Sequence, residues 1–298
     1  MRVLVAGAGG MVGRAVREYC LSNGDVVFSH DHASLDISNS EQVAHALQKD
    51  QPEVVINCAA WTNVDGCELD RDRAFAVNAA GPENLARASR DVGAALITIS
   101  TDYVFDGKKD GFYTQRDQPA PENTYGLSKL EGERRAQSAH ARTIVVRTGF
   151  VFGSGGTNFL STIIERARRG ERLNAIRDAY GTPSYAPDLA RRLRELAQLD
   201  MPGTFHVVNA GPGVSYEEFA RAALDLSGHS ATHLDSVEMD SLSRPAPRPR
   251  NSRLKCLLSE AIGLAPLPFW KESLMSFAAL DSRTEAAAKM QGGRPQLA

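Results

Sequence analysis

Val3-Leu4-Val5-Ala6-Gly7-Ala8-Gly9-Gly10-Met11-Val12-Gly13 decides the fold. Four apolar residues read as a short buried strand. The residues after the glycines, 11–21, set Val12, Ala15, Val16 and Tyr19 on one face of a helix. In the spacing Gly7-x-x-Gly10-x-x-Gly13 each glycine has a task. Gly7 permits the tight strand-to-helix turn, Gly10 lets backbone approach a pyrophosphate, and Gly13 lets the helix lie close on the sheet. Phosphate charge would then meet free N–H groups and the positive end of the helix dipole. Alone, the pattern also fits a plain βα turn. At the first turn of a βαβ unit it reads as a nucleotide site.

The surrounding rhythm supplies that unit. Short apolar, β-branched runs at 3–6, 26–28, 54–57, 95–100 and 143–147 alternate with helical spacing at 11–21, 41–47, 72–92 and 128–138. Such alternation predicts an α/β fold with a doubly wound parallel sheet of Rossmann type, covered on both faces. Beyond residue 150 helices are expected at 158–169, 188–199 and 216–226, the last behind the N-cap candidate Ser215, and a late strand at 204–209. Residues 243–250, SRPAPRPR, must be an extended connector, because proline removes both helix and strand there. We expect residues 1–150 with 177–209 to form the dinucleotide-binding domain. Residues 151–176 with 210–280 would build a smaller α/β substrate lobe, and 281–298 a flexible tail.

Composition narrows the class. The chain has 298 residues, 42 % hydrophobic and 23 % charged, with 34 Lys+Arg against 36 Asp+Glu. These are the proportions of a globular protein. The formal charge of −2 argues against a bulk nucleic-acid binder. Cys20, Cys58, Cys67 and Cys256 form no Cys-x-x-Cys pair and read as reduced thiols of a cytoplasmic protein. No apolar run approaches the roughly 18 residues a membrane span needs. The apolar start breaks at Gly7, too soon for a signal-peptide core.

Two acidic residues near the second strand bear on the cofactor. Asp31 is a candidate for the adenosine ribose, while no Arg for a 2′-phosphate is evident, so NADPH and NADH both stay open. Asp36, in Leu35-Asp36-Ile37, is placed to accept from an adenine amino group or to serve as a turn or N-cap residue.

Tyr125-Gly126-Leu127-Ser128-Lys129 puts a phenol and an ammonium at i, i+4 on one helix face. A free phenol has a pKa of about 10, and lowering it to about 7 needs roughly 4 kcal/mol. A Lys ammonium about 4 Å away in a partly wet site supplies on the order of 4 kcal/mol. Such a phenol could act as general acid toward a developing alkoxide. Alone the pair is usually a solvated helix face. The third element is Ser100-Thr101-Asp102-Tyr103 at the end of a strand, where a Thr101 hydroxyl could meet a substrate carbonyl or simply finish a turn.

Glycine turn, strand-end Ser/Thr and Tyr-x-x-x-Lys, in this order, resemble the extended short-chain dehydrogenase/reductase family. The resemblance implies a nicotinamide cofactor and the catalytic set Thr101, Tyr125 and Lys129. Further stretches are similar to its dTDP-4-dehydrorhamnose reductase branch: 57–65 (NCAAWTNVD), 77–78, 100–107 (STDYVFDG), 147–153 (RTGFVFG), 178–183 (DAYGTP) and 248–252 (RPRNS). That branch implies reduction of the 4-keto group of a dTDP-linked 6-deoxyhexose by NADPH or NADH, with Tyr125 as proton donor. Gly7, Gly10, Met11, Val12, Asp36, Ile37, Ala59, Ala60, Asn78, Ser100, Tyr125 and Lys129 would then hold the cofactor. Thr101, Asp102, Tyr103, Phe150, Arg248 and Asn251 would face the substrate.

Arg248 and Arg250 have a chemical reason of their own, since guanidinium binds a pyrophosphate bidentately. Composition alone favours a solvated, proline-stiffened loop. Three positions depart from the family pattern: Met11 for a frequent glutamine, Phe150 for a frequent tryptophan, and Ala15 where well-known members carry a metal-binding glutamate. We therefore expect no metal, and a monomer or weak homodimer. Two rivals remain. One is another nucleotide-sugar epimerase, dehydratase or ketoreductase of the family, though Tyr103 after Asp102 argues against a dehydratase. The other is a non-catalytic subunit resembling the regulatory subunit of methionine adenosyltransferase.

Overall fold

The computed structural model describes residues 1–280; the expected tail at 281–298 lies outside the described residues. The chain opens with β1 (Arg2–Ala6), α1 (Met11–Ser22), β2 (Val26–His30), α2 (Ser40–Asp50) and β3 (Val54–Asn57). Short α3 (Val64–Leu69) and α4 (Arg71–Phe75) lead through a π turn (Ala76–Ala80) into α5 (Gly81–Val92), β4 (Ala95–Thr101) and a 3₁₀ turn at Asp102–Val104. Then come α6 (Thr124–Ala139), β5 (Thr143–Thr148), β6 (Val151–Phe152), α7 (Phe159–Arg168), β7 (Leu173–Ile176), β8 (Tyr180–Gly181) and β9 (Ser184–Tyr185). The remainder is α8 (Ala186–Leu199), β10 (Gly203–His206), β11 (Val214–Ser215), α9 (Tyr216–Leu226), β12 (Leu234–Val237), α10 (Leu257–Ala261) and a helix over 270–280.

Six parallel strands form the main sheet in the order β10-β5-β4-β3-β1-β2, as the alternating pattern requires. Side-chain alternation sends Val3, Val5, Ile56 and Ile97 to one face, under α1 and α8 through Val16, Cys20, Leu189 and Leu193. Leu4, Ala6, Val55 and Leu96 take the other face, under α2, α5 and α6 through Leu47, Leu85 and Ala136. The chain leaves β1 toward β2 on one side and returns to β3 on the other. A crevice therefore opens beyond the carboxyl ends of these strands.

The expected helix at 72–92 is broken by the π turn. Pro82 has no N–H, and its ring would meet the carbonyl four residues back, that of Asn78. The wider turn relieves this and lets Asn78 approach α6, where a Cβ at Gly132 would lie 2.1 Å from the Asn78 carbonyl oxygen. The late strand ends at His206, not 209. The pairing of β7 with β12 was not foreseen, because a two-strand sheet of four residues each leaves no periodic signature. Residues Tyr180–Gly181 pair with Val214–Ser215 outside the large sheet, and α8 then packs on that sheet. Ser215 does cap α9, within a capping box completed by Glu218.

Asp25, buried at the start of β2, ties three chain segments together. It accepts from Arg194 of α8 at 2.6 Å and from the Met1 ammonium at 2.8 Å. Burial raises its pKa, yet these two cations outweigh burial and hold the carboxyl below the usual carboxylate range. Because the folded pKa is depressed, this stabilisation is present at neutral pH and is lost as pH falls through the folded value. Asp25→Asn should cost about 1–3 kcal/mol in denaturant unfolding at neutral pH. It should also flatten the acid limb of the stability–pH curve below about pH 4. An unchanged acid limb would contradict this reading.

Candidate active site

The glycine turn and the Tyr–Lys pair meet in one cleft of about 560 Å³ at the carboxyl edge of the sheet. One wall carries Gly10, Met11, Val12, Cys58 and Ala60; the floor carries Ser100, Thr101 and Asp102; Tyr125 and Lys129 stand on α6. Phe150, just after β5, and Tyr216, at the start of α9, close it from the other side. Gly7 takes a positive φ of 76°, and a Cβ there would sit 2.6 Å from the Ala59 nitrogen. A side chain at Gly7 would push the β1 and β3 loops apart. Gly10 is the N-cap of α1, with no side-chain cap and no acidic residue in the first turn. The first N–H groups of α1 therefore stay open toward anions, and the residues present fit a dinucleotide pyrophosphate.

Several residues flanking the cleft make structural contacts of their own. The Asp36 Oδ1 accepts from both the N–H (2.9 Å) and the hydroxyl (2.7 Å) of Ser38, which is the turn role. The Ile37 side chain is buried core against Gly81. Ala59 gives its N–H to Asn57 at 3.0 Å. Asn78 is fully engaged: its oxygen accepts from Trp61 N–H at 2.8 Å, and its amide donates to Trp61 O and to Ser128 on α6. It sets the spacing between the 58–62 loop and α6.

Three contacts pin α6 over the end of β4. Lys129 Nζ donates to the Ile99 carbonyl at 2.7 Å. Ser100 donates to Glu133, four residues beyond Lys129, and Glu133 is bidentate to Arg147 of β5 at 2.7 and 2.9 Å. This ion pair is buried on both sides, so its strength rests on its geometry and on the extra Ser100 bond. Burial pushes the Lys129 ammonium down to about 8, with Glu133 acting against that.

Burial likewise pushes the Tyr125 phenol up, and the group that lowers it is the Thr101 hydroxyl. Lys129 is not among the groups acting on the phenol, and its ammonium donates to the Ile99 carbonyl instead. The Thr101 hydroxyl is also more committed than foreseen. It pairs with Asp102 Oδ1 at 3.0 Å, accepts from Tyr103 N–H at 3.2 Å and shares a bond with Tyr125. Burial raises Asp102 to about 6. Tyr103 lies edge-on to Tyr125, with ring centroids 6.0 Å apart, and bonds to Tyr216, which stacks on Phe150 at 4.2 Å. Tyr216, which sequence reasoning passed over as a helix residue, is therefore part of the cleft. Nothing in its local pattern marks it.

The Pro/Arg loop lies outside the cleft. Arg248 is bidentate to Asp65 of α3 at 2.5 and 2.8 Å, and Arg250 pairs with Asp178 and Asp240. Pro247 O accepts from Asn123, the N-cap of α6. Asn251 donates to the Lys109 and Gly111 carbonyls. Arg248 and Asn251 are both bonded to protein partners, and these bonds dock the loop. Among the described residues no cluster of His, Cys, Asp or Glu is placed to hold a metal.

The RmlD substrate-binding domain model matches residues 1–282. This chain belongs to that family. It is 37 % identical over 276 residues to a dTDP-4-dehydrorhamnose reductase of Mycolicibacterium smegmatis, covering 92 % of this chain and 84 % of the relative. A dTDP-4-dehydrorhamnose reductase of Bacillus anthracis, solved in complex with NADP, superposes with a TM-score of 0.90 at 35 % identity, over 93 % of this chain and 98 % of that one. An ortholog of that reductase from Clostridium acetobutylicum superposes at 0.91 with 36 % identity, over 95 % of this chain and all of that one.

The docking role of Arg248 is testable. Arg248→Ala and Asp65→Ala should each destabilise the protein, and the double variant should lose less than the sum, with a coupling of about 1–3 kcal/mol in a double-mutant cycle. Strict additivity would show that the pair contributes nothing.

Proposed function

We propose that this protein reduces the 4-keto group of a nucleotide-linked 6-deoxyhexose, converting dTDP-4-dehydro-L-rhamnose to dTDP-L-rhamnose with NADPH or NADH. The observation that carries this reading is the convergence of Thr101, Tyr125 and Lys129 on the cleft that also exposes the uncapped start of α1. Its resemblance to dTDP-4-dehydrorhamnose reductases over nine-tenths of the chain supports it. When bound, the reduced nicotinamide supplies the hydride.

The chain's own residues do the rest. The first turn of α1, Gly10 to Val12, would hold the pyrophosphate, with Ala59 and Ala60 beside it and Lys129 and Tyr125 at the nicotinamide ribose. Tyr125, kept protonated by burial, gives its phenolic proton to the oxygen at C4 as negative charge develops there. Lys129 is charged below about pH 8, and its cation stabilises that oxyanion in a site of low dielectric. Thr101 orients the phenol. Phe150 and Tyr216 offer an aromatic wall to the sugar. The protein would work in the cytoplasm as a monomer or weak homodimer.

Stoichiometric loss of nicotinamide absorbance on adding the dTDP-linked 4-keto sugar, with a C4 alcohol as product, is the expected result. Tightly held cofactor with no net oxidation would favour an epimerase instead. Tyr125→Phe should lower turnover by about a hundredfold or more, while cofactor still binds and quenches protein fluorescence. Turnover within a few-fold of the parent would remove Tyr125 as proton donor.

A further inference from the structure

The Thr101 hydroxyl sits among three polar neighbours, and its bonding capacity is small. A hydroxyl has one hydrogen to donate and two lone pairs to accept with. The backbone N–H of Tyr103 takes one lone pair, at 3.2 Å. Asp102 Oδ1, 3.0 Å away, and the Tyr125 phenol share what remains. One of these two must therefore donate to Thr101 while the other accepts from it. The 3.0 Å separation of the Thr101 and Asp102 oxygens is compatible with either direction.

Asp102 is built to exist in both forms. It is 3 % exposed. Its Oδ2 has no hydrogen-bond partner and lies against Gly149, where a Cβ would fall 2.3 Å from it. The groups facing it are the Ser252 hydroxyl from the 251–254 loop and the phenols of Tyr103, Tyr125 on α6 and Tyr216 on α9. Arg248 and Arg244 act on this cluster through Tyr103, while Arg248 itself is paired with Asp65. No cation is bonded to Asp102, and although hydrogen bonds from Ser252, Thr101 and backbone N–H groups favour its charged form, burial outweighs them.

We propose that the protonation state of Asp102 sets the direction of the Asp102–Thr101–Tyr125 hydrogen-bond chain and thereby whether the Tyr125 hydrogen faces the substrate. When neutral, Asp102 donates to Thr101, Thr101 donates to the Tyr125 oxygen, and the phenolic hydrogen is free for the C4 oxygen. When ionised, Asp102 only accepts. Thr101 then donates to it, and Tyr125 donates to Thr101, away from the substrate. The same chain refills the donor after turnover. The Tyr125 phenolate takes the Thr101 proton, Thr101 takes the Asp102 proton, and Asp102 recovers one from solvent, so the net proton consumed per sugar reduced is one. Asp102 is thus a positioning residue acting through Thr101. This rests on the reductase reading, and burial, which raises the Asp102 carboxyl to about 6, places the switch near neutrality.

The test is the pH profile of kcat for sugar reduction at saturating substrate and cofactor. The parent enzyme should lose at least about fivefold between about pH 5 and pH 7, a window below the loss of charge on Lys129. Asp102→Asn puts a permanent N–H donor beside Thr101 and should change less than about twofold over that range. Thr101→Val, which cuts the chain but keeps the shape, should be slower yet equally flat, so the test survives if the Asn variant does not fold. A difference infrared spectrum should show a protonated-carboxyl band at the acid end that fades toward the alkaline end and is missing in Asp102→Asn. Parallel decline in parent and variants, or no such band, overturns the proposal. A raised KM with an unchanged profile would do the same, leaving Asp102 as a substrate contact. A parent protein that reduces no 4-keto sugar would instead overturn the functional reading.

Discussion

The fastening of α6 to the end of β4 is the constraint on which the site depends. Lys129 reaches back to the Ile99 carbonyl, and Glu133, one turn further on, is gripped by Ser100 and Arg147. A helix held at two levels along one face cannot rotate or slide without breaking a charge-assisted bond in a buried place, where such breaks are expensive. Tyr125, one turn before Lys129, therefore has a fixed position relative to Thr101. Gly132 and Asn78 supply the other side of the clamp, where backbone meets backbone across a gap that a methyl group would fill.

The cleft is assembled from parts that respond to different physical demands. The cofactor side is mostly backbone: a turn with positive φ at Gly7, an uncapped helix start, and small residues from the β3 loop. The opposite side is aromatic, with Tyr103, Phe150 and Tyr216 in mutual contact. The Pro/Arg loop joins them without entering the cleft. Through Arg248–Asp65 and Pro247–Asn123 it ties the smaller lobe to α3 and to the cap of the helix that carries Tyr125. Proline stiffens this strap, and arginine fastens it at points set by carboxylates on separate elements.

The parts legible in the sequence are those with a local signature. Alternating strand and helix periods, the glycine turn and the Ser215 cap are all written in a few adjacent residues, and the structure has the corresponding sheet, crevice and helix start. Tyr-x-x-x-Lys places two side chains on one face by geometry alone. What stayed hidden depends on partners far along the chain. Nothing near Arg248 announces Asp65, so the guanidinium looked available for a phosphate. Nothing near Lys129 announces that the Ile99 carbonyl takes its ammonium. The packing of Ile37 against Gly81 and the bonds of Asn78 to Trp61 and Ser128 also join residues far apart in the chain. Tyr216 comes to the cleft only because α9 folds back over Phe150.

The account turns on a phenol fixed in place by α6 and aimed at a sugar carbonyl. A crystal structure of the ternary complex, with cofactor and a dTDP-linked 4-keto sugar or its alcohol, measures this most directly. The account predicts the Tyr125 Oη within hydrogen-bonding distance of the C4 oxygen, with Lys129 and Glu133 still joined to β4 and β5. A sugar whose C4 oxygen lies against the Arg248 loop, with Tyr125 bonded only to protein, would contradict it.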